Sequence, residues 1–146
     1  MTDTVELEIG IASTYWAKPP HARVMIDQQI ILFDKPLLAP TKVEWKGELE
    51  EGIHTLSVDM MYKNNKQTVV KDGKIVKDQL IHIRSLFLDE IDLGDMKWSK
   101  SVYHPKPDQK DPDRPKVMKE CVDLGWNGRW SFEFSVPTYL WMLENI

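Results

Sequence analysis

Thr4–Ile11 reads TVELEIGI, and its alternation decides the fold. Val5, Leu7, Ile9 and Ile11 fall on one side and Glu6, Glu8 and Gly10 on the other, the period-two pattern of a half-buried strand. Working outward, the Tyr15-Trp16 pair and Pro19-Pro20 interrupt the pattern, because proline cannot continue a central strand. Arg23–Leu32, broken at Asp27-Gln28-Gln29, reads as a hairpin, and Thr41–Leu49 and His54–Met61 read as further strands. Asn64-Asn65 and Asp72-Gly73 flank a short hairpin over Gln67–Val70 and Lys74–Val76, and Leu80–Leu88 reads as a central strand. In the last strand Trp130, Phe132, Phe134 and Val136 share a face, and Pro137 then opens a short helix over residues 137–145, which Tyr139, Leu140, Trp141 and Leu143 are expected to dock onto the sandwich. Many short strands with frequent turns and almost no helical periodicity predict an all-β chain, a single β-sandwich or jelly-roll domain over residues 1–146.

The 146 residues are 42% hydrophobic and 29% charged, the balance of an ordinary globular domain. Nineteen basic against twenty-three acidic side chains leave a net charge of −4, which argues against nucleic acid as a partner. No apolar run reaches membrane-spanning length, and Met1-Thr2-Asp3-Thr4 lacks the features of a signal peptide, so no membrane partner and folding in a cytosol are expected. The single Cys121 excludes an internal disulfide and reads as a partly buried thiol. From His104 to Lys116 four prolines alternate with charged residues, which predicts a long, extended, poorly packed loop.

Candidate chemistry is sparse. The four histidines form no metal or triad motif, and His54 and His82 read as hydrogen-bonded strand residues. Asn64, Asn65, Asp72 and Asp78 surround the small hairpin and are the best-placed oxygen donors for a calcium ion, although the same residues are good turn formers. Six tryptophans are the most informative feature. Trp130 belongs to the core by its alternation, whereas Tyr15, Trp16, Trp126 and Asn127 lie in loops and are the expected ligand- or partner-binding residues, the indole faces able to meet a sugar ring or a partner protein.

Two segments carry a resemblance. GIHTLSVDMMYKNN at 52–65, the hairpin DGKIVKD at 72–78 and LIHIRSLFLDEIDLG at 80–94 resemble the central half of small calcium-dependent carbohydrate-binding modules of the xylan-binding type. The ending LGWNGRWSFEFSVPTYLWMLENI at 124–146 is similar to the C-termini of small proteins encoded by tailed bacteriophages. The first resemblance implies a jelly-roll sandwich with loop donors falling near Asn64, Asn65, Asp72 and Asp78; the second implies a virion component made in host cytoplasm.

The expectation from residues and resemblance together is a non-catalytic phage structural or accessory module, in the virion head, neck or tail. It would act through other phage structural subunits as a homo- or hetero-oligomer, and also through polysaccharide. The alternatives are a soluble ligand-sequestering or host-takeover protein and a small hydrolase with paired carboxylates such as Asp59 and Glu133.

Overall fold

The computed structural model describes Met1–Asn145, except for the side chain of Asn65; Ile146 lies outside the described residues. Two antiparallel sheets share one core. The first has the order β12 (Asp123–Leu124), β8 (Leu80–Leu88), β1 (Thr2–Thr14), β4 (Thr41–Glu50), with β9 (Ile91–Asp92) also on β8. The second runs β11 (Met118–Lys119), β10 (Ser101–Pro105), β13 (Gly128–Val136), β5 (Gly52–Met61), β2 (His21–Ile26), β3 (Gln29–Pro36). The predicted small hairpin, β6 (Val69–Lys71) and β7 (Lys74–Lys77), stands apart from both.

The quoted alternation of β1 works as read: Val5, Leu7, Ile9 and Ile11 are buried between the sheets. They meet Leu56, Val58 and Met60 of β5 and Trp130, Phe132, Phe134 and Val136 of β13 in one cluster. Each of these large side chains, fully buried, contributes about 1.5–3 kcal/mol of hydrophobic stabilisation. On edge strand β4 the outward residues Lys42, Glu44, Lys46 and Glu48 are charged and exposed, which discourages pairing with another chain.

Two expectations need correction. The Pro-rich segment is irregular beyond Pro105 but is tied down. Arg114 donates to Lys106 O at 2.9 Å and to Asp111 at 3.2 Å, and Lys106 N donates to Asn127 O at 2.7 Å. One guanidinium with several donors gathers a segment that its prolines alone would leave extended. After the single turn α1 (Met96–Ser99), the C-terminal helix forms as α2 (Thr138–Asn145), with Pro137 O accepting from Trp141 N. Trp141 docks on its own sandwich, edge to face on Phe132 at 5.8 Å. Tyr139, Leu140 and Leu143, expected to help hold the helix, face solvent instead, because one face of so short a helix reaches the core.

Candidate functional site

Four directly opposed residues on four neighbouring strands form a polar row on the outer face of the second sheet. His104 of β10 lies opposite Arg129 of β13, Arg129 opposite Asp59 of β5, and Asp59 opposite Arg23 of β2. At one strand spacing per step the row spans about 14 Å. Asp59 is its hinge, a carboxylate only 7% exposed. Arg129 reaches it through Nε at 2.7 Å and Nη2 at 3.0 Å, and Arg23 through Nε at 3.0 Å and Nη2 at 2.6 Å. Burial opposes the charge on Asp59, but the hydrogen bonds from Arg129 and Arg23 outweigh it and hold the carboxyl below its ordinary value. The same pairing raises the Arg129 guanidinium still further.

A groove of about 460 Å³ opens over the His104, Arg129 and Asp59 part of this row, with Asp59 and Arg129 in its floor. Pro105, Lys106 and Pro107 wall one side, and Tyr62 another. Tyr62 holds a left-handed backbone, φ 67°, which is costly for a bulky residue and recurs where a side chain must be aimed. Its hydroxyl donates to Asp34 at 3.0 Å, its ring meets His21 edge to face at 5.1 Å, and it stays 62% exposed. Asp34 also accepts from His21 Nδ1 at 3.0 Å. Gly128 lets β13 approach β10 here: a Cβ would collide with the backbone of His104 and Pro105.

Asn127 joins this groove to a second one, of about 350 Å³, at the loop end of the sandwich. Its side chain accepts from Lys63 N at 2.9 Å and donates to Lys63 O at 2.8 Å, so it clips the end of β5 in place. Trp126 is half-buried beside it, with the Arg114 guanidinium 5.4 Å from its ring centre. Its carbonyl accepts from the buried Tyr103 hydroxyl. Trp16, 46% exposed, donates from Nε1 to Gln67 O at 3.0 Å and carries the Lys77 ammonium 4.7 Å above its ring. Each of the two indoles expected to stack on a ligand therefore has a cation of this chain against it. Tyr15 is spent in part on Leu38 O, at 3.2 Å.

Among the described residues, the expected calcium donors do not converge on a cation site. The Lys63 ammonium sits 2.6 Å from Asp78 Oδ1, which also accepts from Thr68 and from Gln79 N. Asn64 Oδ1 accepts from Lys66 N and caps a single 3₁₀ turn, Asn65–Gln67. Asp72 occupies the exposed β6–β7 turn at φ 55°, and the side chain of Asn65 lies outside the described residues. Among the described residues no group of three or more His, Cys, Asp or Glu is placed to hold a metal ion.

The paired carboxylates do not meet either. Glu133 pairs with Thr55, four residues along β5 from Asp59, or about 13 Å. That exceeds the roughly 5–9.5 Å of glycosidase pairs, and Asp59 is already consumed by two arginines. A different chain of groups is present: Thr14 Oγ1 lies 2.7 Å from His82 Nε2, and His82 Nδ1 lies 2.6 Å from Asp123. It fastens short strand β12 to β8 and β1. A third groove, about 620 Å³, crosses the outer face of the first sheet past Glu6, Glu8, Glu44 and Phe87. Its ions pair loosely, Lys46 with Glu6 at 3.3 Å and Lys42 with Glu8 at 3.6 Å, so little fixes their geometry.

No protein-family model matches the chain, and no curated protein matches it. A solved structure described as "vCBM60 in complex with galactobiose" shares 8% identity over 87% of this chain and 96% of its own, at a TM-score of 0.47. It assigns no role to any residue here. No helix among the described residues is long and apolar enough to cross a membrane.

Proposed function

We propose that the chain is a non-catalytic binding module that holds a polysaccharide on the outer face of its second sheet. The Arg23–Asp59–Arg129 lattice carries this reading. It presents planar, multidentate hydrogen-bonding groups in fixed positions, as recognition of neighbouring hydroxyls requires, next to an exposed tyrosine ring for the apolar face of a sugar. Preorganisation matters because a ligand then does not have to order the side chains that bind it. Affinity electrophoresis through gels containing polysaccharides tests the reading. Retardation of the wild-type chain that is lost in Tyr62→Ala supports it; no retardation by any polysaccharide contradicts it.

The phage structural role fits as the setting of this module and draws support from a separate surface. Tyr139, Leu140 and Leu143 of α2 and Ile53 at the start of β5 are large, apolar and exposed, the composition of a subunit contact. Finding the protein in purified particles supports that setting.

A hydrolase is the second reading, favoured by Thr14, His82 and Asp123, which place a hydroxyl, a base and an orienting acid within hydrogen-bond reach. It ranks lower because none of the three grooves above is lined by these residues. Ester hydrolysis abolished by His82→Ala would raise it above the binding reading.

A further inference from the structure

We infer that the polysaccharide bound on this face is acidic, and that a carboxylate of a uronic acid unit sits between Arg23 and Arg129; this rests on the binding reading above. Asp59 uses Nε and Nη2 of both arginines, and Arg129 Nη2 also approaches the Met25 sulfur at 3.7 Å. Among the described residues neither Nη1 has a hydrogen-bond partner, so each guanidinium keeps one –NH₂ edge to offer. Both side chains remain open to solvent, Arg23 at 32% and Arg129 at 47%, although the carboxylate that orients them is buried.

The charge balance points the same way. On a chain of net charge −4, Arg129 and Lys106 line one groove and Arg23 stands beside it, opposite Asp59 on β2. Asp59 cancels only one of those three charges. The other nearby carboxylate, Asp34, is taken up by His21 and Tyr62. A buried aspartate that holds two arginines apart, each with a free edge, presents charged donors suited to a carboxylate more than to a hydroxyl, which gains less from them. The groove walls of Pro105, Pro107 and Tyr62 give the sugar ring that bears the carboxylate an apolar surface to lie on.

The test compares polygalacturonate, its fully methyl-esterified form, neutral galactan and poly-glutamate as ligands for the wild-type chain. The inference expects at least tenfold tighter binding to polygalacturonate than to the methyl ester or the galactan. It also expects a tenfold or greater loss of that binding in Arg129→Gln and in Arg23→Gln. Esterification probes the carboxylate without touching the protein, so the result stands even where a variant folds poorly. Equal binding to the acid and the ester overturns the carboxylate assignment and leaves the glycan reading intact. Poly-glutamate binding as tight as polygalacturonate overturns the sugar part, and binding to none of the four overturns both.

Discussion

Asp59 is a buried charge whose partners both lie nearer the surface, and that asymmetry sets what its removal does. Asp59→Asn leaves two guanidinium groups able to rehydrate but no longer fixed, at a cost of roughly 1.5–3 kcal/mol in unfolding free energy at neutral pH. Its folded pKa lies below the unfolded one, so this stabilisation is present above about pH 4 and is lost as pH falls through the folded value. Denaturant titrations of wild type and variant should therefore differ clearly at pH 7 and by progressively less as pH falls below about 4. His54 works in the opposite direction. Burial opposes its charge, but Asp27 at 2.7 Å and the Glu50 carbonyl at 2.6 Å both require a proton on the ring, and its pKa is raised. The stability it adds is complete below about pH 6.5 and is lost as pH rises through the folded value. His54→Gln should thus lower Tm more at pH 5.5 than at pH 9. That His54 and His82 are hydrogen-bonded strand residues was legible from their strand positions. Their partners Asp27 and Asp123 were not, because they arrive from the remote β2–β3 turn and the short strand β12.

Strands that alternate cleanly are legible in the sequence. Val5–Ile11 and Trp130–Val136 each bury one face, and burial imposes period two on side-chain chemistry. Strand β10 was not legible, since Ser101–Pro105 ends in a proline and joins a charged segment. What makes it a strand is its pairing with β13, and that pairing needs Gly128. Gly128→Ala should push the two strands apart, lowering Tm by several degrees and disturbing the backbone amide signals of His104 and Arg129 together. Helix α2 was legible in position and in its docking residue but not in its exposed face. Trp141→Ala removes the indole that rests on Phe132 and should cost about 3–5 kcal/mol, independent of protein concentration. A loss that appears only at low concentration would place Trp141 in an interface between subunits instead.

At the scale of the whole molecule, the two faces of the sandwich differ in how their charges are held. On the first sheet surface ions pair loosely across β1 and β4; on the second they lock onto a buried aspartate. The loop placement of Trp16 and Trp126 was legible in the sequence, but the row of Arg23, Asp59 and Arg129 was not. Arg23, Asp59 and Arg129 are far apart in the chain, each is an ordinary outward residue of its strand, and only the β2–β5–β13 register makes them neighbours. The tryptophans that looked available are covered by Lys77 and Arg114, charges whose position depends on tertiary structure. The most direct test of the binding face is a titration of uniformly ¹⁵N-labelled protein with galacturonate oligosaccharides, followed by amide chemical shifts. A ligand on this face gives saturable shifts centred on Arg23, Asp59, Tyr62, His104 and Arg129. Shifts centred on Glu6, Glu8 and Phe87 of the opposite sheet, or no saturable shift at all, would contradict it.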